Sequence, residues 1–589
     1  MCGICGELRF DGQAVSPDTL QAMMAVLTPR GPDHGAQWIN NTVGLGHRRL
    51  AIIDLSPQGQ QPMQEQGISL VFNGTIYNYR ALQQELIQSG HSFRSQSDTE
   101  VILKAYLQWG LDCVAHLQGM FAFVLWDESR QQLLLARDRL GIKPLYYAKT
   151  DRFIRFASTL PALLATKEIN TDFDPVGLHH QFTLHAVIPA PYTLFTGIKK
   201  LEPASLHLIT PRGTHQQYTY WQLHATRPER FYRVEEWLEL THNALKAAVS
   251  SHRTAADVPV GVLLSGGLDS SLLVGLLAQQ QPVEELLTFS VGFEDAPEEK
   301  GSEFEYSDQV IARYPTRHHR YHIPNAQLLD RLPEAIRAMS EPMFGQDAVA
   351  FYLLSEQVSK VVKVVQSGQG ADEVFAGYFW YPLMQAAQGS YLNRFSSHYF
   401  DRSHEEYLTL IDPAFQGENY TAQTVEKLLQ EKHADTFLDQ VLRMDVTMLI
   451  VDDPVKRVDN MTMAWGLEAR VPFLDQHLVE LAAMMPPQLK LQEKGKYPLK
   501  AIARQYLPSS VIDRPKGYFP VPALKYVRGT FLEWMRDTLE STTCRQRGLY
   551  QRAYVDQLLA DPTAYMTALK GSKLWHLALL ENWLQIHLK

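Results

Sequence analysis

The sequence has few cysteines and no long apolar segment. Cysteine accounts for four of its 589 residues, namely Cys2, Cys5, Cys113 and Cys544. Four scattered cysteines are too few for a disulfide framework and are typical of a protein from a reducing cytosol. No run of roughly 18 or more apolar residues is present, and the first residues lack the basic segment and apolar run of a secretory signal. These absences predict a cytoplasmic protein that does not span a membrane.

An excess of positive charge is also missing. The formal net charge is -9, so a general electrostatic attraction to nucleic acid is not expected. The hydrophobic content of 45% and the charged content of 20% are near the average for folded soluble proteins. The length is too great for one ordinary core. We therefore expect a multidomain, enzyme-sized protein with no nucleic-acid partner.

The opening "MCGICGELRF" places Cys2 and Cys5 at the edge of the chain. A C-x-x-C redox pair needs a preceding strand and a helix N-terminus, and a zinc site needs about four ligands. A third interpretation uses the position itself. Removal of Met1 would leave a thiol and a free α-amine on Cys2, and the amine can take the thiol proton, as in N-terminal nucleophiles. We favour this role for Cys2 and expect Cys5 to be a small buried residue of the first strand.

Polar groups that could build a pocket for this nucleophile follow at predicted strand ends and turns. Arg49, beside the predicted strand "LAIID", can clamp a carboxylate with two hydrogen bonds. Asn73 and Gly74, predicted to share a turn, suit an oxyanion hole, and Asp98 can accept a hydrogen bond from an ammonium group. Each has a simpler alternative, because Asn-Gly is common in hairpin turns and Asp98 can cap the helix that follows it.

Taken together, "RGPD", "HRRLAIID", "NGTIYN", "SDTE", "LQGMFAFVLWD" and "RDRLGIKPLYY" resemble the class II glutamine amidotransferase domain. The resemblance implies an αββα sandwich of the N-terminal-nucleophile hydrolase type that hydrolyses glutamine through Cys2. It implies an oxyanion hole at Asn73 and Gly74. The remaining residues that it assigns to glutamine binding are Arg49, Leu50, Ile52, Ile53, Thr75 and Asp98. The family commonly has N-G-E, whose glutamate helps to bind the substrate amine. Thr75 stands at that position, so either glutamine binds more weakly or another acceptor substitutes.

The segment "DVPVGVLLSGGLDSSLLVGLLAQQ" has a different pattern, namely a buried strand, a glycine-rich turn and a helix. This arrangement presents backbone N–H groups to phosphate, although the Gly-Lys-Ser/Thr ending of a Walker A loop is missing. The segment "VKVVQSGQGADEVFAG" repeats the pattern, with a strand predicted over residues 361–365. Asp269 and Asp372, near the starts of the two helices, are the candidate Mg²⁺ ligands. Helix capping is their alternative role.

S-G-G-L-D-S resembles the pyrophosphate loop of enzymes that cleave ATP between its α and β phosphates. With "RVDN" and "EARVPFLD" it resembles the synthetase domain of asparagine synthetases. The resemblance implies a catalytic Lys496, rather than an exposed helix lysine, with Lys516 as a further candidate, and bracing roles for Arg470 and Asp475. Gln369 replaces the usual glutamate of S-G-E-G and cannot act as a general base. The residues that the resemblance assigns to ATP binding are Leu263, Ser265, Gly266, Gly267, Asp269, Ser270, Val291, Ser367 and Gly368.

The whole sequence therefore predicts an α/β protein of two domains. A glutaminase domain is expected over residues 2–215, a linker over 216–233, and a parallel-sheet ATP-pyrophosphatase domain over 234–589. Glutamine would supply ammonia, and ATP with Mg²⁺ would adenylate an acceptor carboxylate. Ammonia, passing internally, would then give an amide, AMP and pyrophosphate.

The acceptor is the most open part of this prediction. Aspartate is the default, and N-acetylglutaminylglutamine, the substrate of a bacterial subgroup, is the alternative. A homodimer is expected from the resemblance alone. A tRNA-modifying enzyme and a non-catalytic glutamine or nucleotide sensor are alternatives from other classes. The acidic charge disfavours the first, and the presence of Cys2, Asn73, Asp269 and Asp372 disfavours the second.

Overall fold

The first part of the chain forms two antiparallel sheets. The computed structural model describes residues 2–514 and 521–588. The strands of the first part are β1 Cys2–Arg9, β2 His34–Asn40, β3 Val43–Arg49, β4 Met63–Glu65, β5 Ile68–Ile76, β6 Gly119–Asp127, β7 Gln132–Arg137, β8 Tyr146–Lys149, β9 Phe153–Ala157, β10 Lys199–Lys200, β11 Ser205–Ile209 and β12 His215–Thr219. They form two six-stranded sheets, with the orders β10-β8-β9-β1-β3-β2 and β12-β11-β7-β6-β5-β4.

The two sheets pack face to face, and helices cover their outer faces. Alternate residues of a strand point to opposite faces, and β6 shows the result. Val124 and Trp126 join the core between the sheets, whereas Phe121 and Phe123 pack on the helix side. The helices of this part are α1 Pro17–Leu27, α2 Tyr79–Gln88, α3 Asp98–Trp109, α4 Cys113–His116, α5 Leu160–Leu164 and α6 Pro175–Thr183. This arrangement confirms the predicted αββα sandwich.

The second part of the chain is built on a five-stranded parallel sheet. Its strands are β13 Val260–Leu263, β14 Leu287–Phe293, β15 Arg317–Ile323, β16 Val364–Gln366 and β17 Glu468–Arg470. Their order is β15-β14-β13-β16-β17, and every neighbouring pair is parallel. The chain order reverses between β13 and β16. Ligands of open parallel sheets bind at the carboxyl ends of the strands at such a point, so the fold indicates where a nucleotide would lie.

Helices surround this sheet and form the remainder of the second part. They are α7 Val234–Thr254, α8 Leu268–Leu277, α9 Phe304–Arg313, α10 Asn325–Asp330, α11 Leu332–Ala338, α12 Asp347–Val358, α13 Ala371–Phe375, α14 Trp380–Ala386, α15 Tyr391–Tyr399, α16 His404–Leu410, α17 Tyr420–Leu429, α18 Phe437–Met444, α19 Lys456–Met463, α20 Gln476–Met484, α21 Pro487–Lys490, α22 Tyr497–Ala503, α23 Ser509–Ile512, α24 Pro522–Lys525, α25 Gly529–Glu540, α26 Thr542–Arg547, α27 Arg552–Ala560 and α28 Lys573–His587. Among the described helices, none combines the length and the apolar character that a membrane crossing requires.

Three local predictions were wrong. Asn73 and Gly74 lie inside β5 rather than in a turn, because they pair with Ala122 and Phe121 of β6 and apolar neighbours on both faces extend the strand. Residues 50–54 are not a strand, since β3 ends at Arg49 and Asp54 has a φ of 50°. The strand predicted over residues 361–365 begins only at Val364, because residues 359–361 form the turn after α12.

The segment predicted as a linker contains ordered contacts. β12 falls at its start and pairs with β11, so the second sheet extends to Thr219. The indole of Trp221 donates to Glu480, 2.8 Å away, and α7 begins at Val234. The linker therefore lies against the second part of the chain, and the exact domain division stays a prediction.

Candidate active sites

The first site is a pocket around Cys2, the first residue of β1. Cys2 is almost fully buried, and all four cysteines are free thiols. The sequence-predicted residues that line the pocket with Cys2 are Arg49, Leu50, Ile52, Ile53, Gly74, Thr75 and Asp98. Six further lining residues were not predicted from the sequence, namely Gly59, Gln61, Phe72, Ser97, Thr99 and Glu468. The ends of β3 and β5 and the start of α3 thus converge on one cysteine.

Asn73 is oriented by the nucleophile itself. The backbone nitrogen of Cys2 donates to Asn73 Oδ1, 3.0 Å away. The side-chain Nδ2 is buried and has no acceptor within the described part of the chain. A fixed, unused donor beside the nucleophile suits an oxyanion hole. The neighbouring Gly74 has no room for a side chain, because a Cβ there would lie 2.2 Å from the carbonyl oxygen of Met120.

Burial raises the pKa of the Cys2 thiol and so favours its protonated form. The positive charge of the N-terminal amine, the N–H of Leu50 and the guanidinium of Arg49 act in the opposite direction. Because the effect of burial outweighs these opposing effects, a base must remove the thiol proton before the sulfur can attack. The α-amine that removal of Met1 would create on the same residue is such a base.

Arg49 has structural partners in addition to any substrate. Its Nη1 donates to the carbonyl of Ser56 at 3.0 Å, and its Nη2 donates to the carbonyls of Ile53 and Asp54. The guanidinium therefore holds the turn over residues 53–56 against the pocket. The predicted clamp on the carboxylate of glutamine stays a prediction.

Asp98 faces the pocket from the first residue of α3. Ser97 rather than Asp98 caps this helix, since its hydroxyl accepts from the N–H of Thr99 at 3.1 Å. Asp98 Oδ2 instead accepts from the N–H of Ile76 at 3.1 Å. Burial, reinforced by the negative charge of Glu468, raises the pKa of Asp98 to about 7. The capping alternative is therefore wrong, and the carboxyl group titrates near neutrality.

Glu468 reaches this pocket from β17 of the parallel sheet. Its Oε1 accepts from the hydroxyl of Thr75 at 3.1 Å and from Nε of Arg470 at 2.6 Å. Burial opposes ionisation, but the positive charge of the N-terminal amine, followed by those of Arg470 and Lys143, lowers the pKa of Glu468 to about 2. The E-x-R pattern within "EARVPFLD" was the only sequence signal, and it gave no indication that the glutamate belongs to a site formed by residues hundreds of positions earlier.

A buried ion-pair cluster lies beside the nucleophile, between the two parts of the chain. Arg30 Nε donates to the carbonyl of Cys2 at 3.3 Å, and Arg30 Nη1 lies 2.9 Å from Asp459. Lys143 lies 3.1 Å from the same carboxylate. Burial opposes ionisation of Asp459, but the two cations hold its pKa below the usual range. The predicted motifs "RGPD" and "RVDN" therefore meet in space.

The second site is a cavity of about 1680 Å³ at the carboxyl ends of β13 and β16. The predicted residues that line it are Leu263, Ser265, Gly267, Asp269, Ser270, Val291, Ser367, Gly368, Gln369, Asp372 and Lys496. Gly266 lies behind this surface with a φ of 77°, and a Cβ there would lie 2.6 Å from the nitrogen of Ser307. The predicted phosphate loop is thus a tight turn that leads directly into α8.

Lys496 bridges the two predicted metal ligands. Its Nζ lies 2.7 Å from Asp269 Oδ2 and 2.8 Å from Asp372 Oδ1. Burial opposes the ammonium charge, but the two carboxylates raise the pKa of Lys496. Lys496 is 7% exposed, so the alternative of an exposed helix lysine is wrong. Two carboxylates that converge on one cation have the donor chemistry that Mg²⁺ prefers in phosphate sites.

The bracing residues lie outside both cavities. Arg470 Nη1 donates to the carbonyl of His252 at 2.6 Å, which joins β17 to α7. Asp475 caps α20 by accepting from the N–H groups of His477 and Leu478. Lys516 falls outside the described residues.

A buried cysteine pocket in one part and a cavity at the carboxyl ends of parallel strands in the other have the arrangement expected of an amidotransferase. The family model "Glutamine amidotransferase domain" matches residues 1–221, and "Asparagine synthase" matches residues 241–585. The chain belongs to the glutamine-hydrolysing asparagine synthetase family.

Full-length relatives agree with this assignment. Asparagine synthetase [glutamine-hydrolyzing] 3 of Bacillus subtilis is 30% identical, over 100% of this chain and 99% of the relative. Asparagine synthetase [glutamine-hydrolyzing] 1 of the same organism is also 30% identical, over 100% and 97%. A protein of Gibberella zeae named amidase chry2 is 28% identical over 84% of each chain.

The protein is therefore a carbon–nitrogen ligase that uses glutamine and ATP to amidate an acceptor. This assignment confirms the predicted class of reaction. It favours the ligase over the tRNA-modifying and sensor alternatives. The identity of the acceptor is not determined by the family.

Proposed function

We propose that this ligase is an asparagine synthetase that transfers the amide nitrogen of glutamine to aspartate. The observation that carries the proposal is a group of charges in the second cavity. Arg457 Nη1 lies 3.0 Å from Asp347 and 2.9 Å from Asp453, and all three side chains line the cavity. A free amino acid offers both a carboxylate for such a cation and an ammonium for such carboxylates. An N-acetylated dipeptide has no ammonium, which is why we favour aspartate over N-acetylglutaminylglutamine.

In the first site, the Cys2 thiolate would attack the side-chain amide carbon of glutamine. The α-amine of Cys2 would take the thiol proton and return it to the leaving ammonia. Asn73 Nδ2 and the N–H of Gly74 would stabilise the oxyanion. Water would then hydrolyse the thioester and release glutamate. Removal of Met1 is thus a requirement of the mechanism.

In the second site, the turn over residues 265–267 and the start of α8 would hold the phosphates of ATP through backbone N–H groups. The acceptor carboxylate would attack the α-phosphorus and release pyrophosphate. Asp269 and Asp372 would hold Mg²⁺, which when bound supplies positive charge near the pyrophosphate leaving group. Lys496, whose Nζ contacts both carboxylates when no ion is bound, would be displaced from them by the ion and would supply positive charge during adenylation.

Attack of ammonia on the acyl-adenylate releases a proton that Gln369 cannot accept. Glu373 lies four positions further on, within α13, and lines the same cavity. Its Oε1 accepts from the hydroxyl of Tyr378 at 2.8 Å. We assign to Glu373 the role of accepting this proton. Glu373→Gln should slow amide formation while aspartate-dependent exchange of pyrophosphate into ATP continues, and parallel loss of both activities would contradict this role.

Pyrophosphate release by the purified protein tests the acceptor directly. ATP, Mg²⁺ and glutamine are supplied with either aspartate or N-acetylglutaminylglutamine, and the amide product is identified by mass. We expect release and asparagine formation with aspartate. Release with the dipeptide alone would keep the reaction class and refute the proposed acceptor. The expected homodimer is tested separately by light scattering.

A further inference from the structure

The glutamine pocket of the first part is completed by a carboxylate from the second part. We propose that Glu468 binds the α-ammonium group of glutamine, together with Asp98. Glu468 would thus take the role that the missing glutamate of N-G-E would otherwise have at Thr75. The inference rests on the proposed glutaminase activity of the first site and deepens it.

The position of Glu468 is the first argument. It lies in the wall of the pocket that contains Cys2 and Asp98, and its side chain is fully buried. Thr75 donates its hydroxyl to Glu468 Oε1 across 393 positions of sequence. The short polar side chain at position 75 therefore positions a carboxylate that comes from another part of the chain.

The charges of the pocket are the second argument. Positive groups, first the N-terminal amine and then Arg470, lower the pKa of Glu468 to about 2 against the effect of burial, which favours its ionised form. Burial is the main reason that the pKa of Asp98 is raised to about 7, and the negative charge of Glu468 adds to this shift. Two neighbouring buried carboxyl groups repel each other when both are ionised. An ammonium group bound between them would relieve this repulsion, which makes the pocket selective for a cationic substrate.

The support of Glu468 is the third argument. Arg470 Nε holds its Oε1 at 2.6 Å, and the carbonyl of Arg470 accepts from the N–H of Ser367 at 2.8 Å. Ser367 belongs to the second phosphate-binding turn. The carboxylate is therefore fixed by the strand pair that also carries the nucleotide site, so glutamine binding would require correct docking of the two parts.

The test compares glutamine with glutaramate, which has the same amide and carboxylate but no α-amine. Glutamate or glutarate release is measured for the wild type and for Glu468→Gln without ATP or acceptor. We expect Glu468→Gln to raise the KM for glutamine about 10- to 100-fold, the range for losing one hydrogen bond to a charged group. The KM for glutaramate should change little, so the preference for glutamine should shrink by the same factor.

Two further variants keep the test decisive. Thr75→Val retains both charges and removes only the hydroxyl that positions Glu468, so it should raise the KM for glutamine by a smaller factor. Thr75→Glu combined with Glu468→Gln returns a carboxylate to the pocket from β5 and should recover part of the lost affinity. Ammonia-dependent amide synthesis reports that each variant is folded.

Two results would overturn the inference. One is an unchanged KM for glutamine in Glu468→Gln, and the other is an equal loss with glutamine and glutaramate, which indicates a bracing role alone. Neither result touches the proposed acceptor, because no acceptor is present. Failure of the proposed function would instead appear as a wild-type protein that forms no asparagine.

Discussion

Glutamine binding should weaken in acid because Asp98 is protonated at an unusually high pH. The pKa of this carboxyl group is raised to about 7, first by burial and then by the charge of Glu468. The ammonium group of glutamine favours the ionised carboxylate, so binding is strongest above the pKa and is lost as the pH falls through it. Glu468, with a pKa of about 2, does not titrate in this range.

The magnitude follows from the ionised fraction of one group. With a pKa of 7, this fraction falls from about 0.76 at pH 7.5 to about 0.03 at pH 5.5. The Kd for glutamine should therefore rise roughly 25-fold between these two pH values. Because the bound ammonium favours ionisation of Asp98, binding at pH 7 should also release about half a proton.

Calorimetry on Cys2→Ala measures both quantities without turnover. Titrations with glutamine at pH 5.5 to 7.5 give the Kd, and buffers of different ionisation enthalpy give the number of protons released. Asp98→Asn is the matched control, and its Kd should be weaker at pH 7.5 and nearly independent of pH. The assignment would be refuted by a Kd of Cys2→Ala that does not change with pH. It would also be refuted if adding Asp98→Asn to this variant left the pH dependence of Kd unchanged.

Three other substitutions test the separate parts of the two sites. Cys2→Ala should abolish glutamine-dependent synthesis and retain synthesis from free ammonia, and equal loss with both nitrogen sources would contradict the separation of the sites. Asn73→Ala should lower kcat for glutamate release by about 10²- to 10³-fold with little change in KM; a fall of less than about tenfold would exclude an oxyanion role. Lys496→Met should lower amide synthesis and, because a competing cation is removed, tighten Mg²⁺ binding to the free protein at least about tenfold by calorimetry. An unchanged affinity for Mg²⁺ would show that Asp269 and Asp372 are not the ligands of the Mg²⁺ site.

Local patterns allowed most of the fold to be predicted from the sequence. A short apolar strand, a glycine-rich turn and a helix start are encoded within about ten residues, so the turn over residues 265–267 and α8 were found directly. Asn73 and Gly74 were assigned to a turn because the dipeptide alone favours one, whereas pairing with β6 over the whole of β5 determines the extended conformation.

Contacts between distant segments could not be predicted. Lys496 was recognised as a candidate, but its position between Asp269 and Asp372 depends on the approach of the start of α22 to the first turns of α8 and α13. Glu468 was not recognised at all, because nothing within its own segment relates it to a glutamine pocket. Arg49 was predicted to clamp a carboxylate, and only the three-dimensional structure shows that it also donates hydrogen bonds to the carbonyls of residues 53, 54 and 56.

The segment from "RVDN" to "EARVPFLD" connects the two chemistries. Asp459 holds Arg30, which donates to the carbonyl of the nucleophile, and Glu468 reaches the far wall of the same pocket. Both carboxylates are buried, so leaving either without its cation would be costly. Buried ion pairs add little to net stability when compared with apolar packing, but they accept only one geometry. A segment of the ligase part therefore forms one wall of the glutaminase pocket. This would couple the hydrolysis of glutamine to a correctly assembled synthetase site.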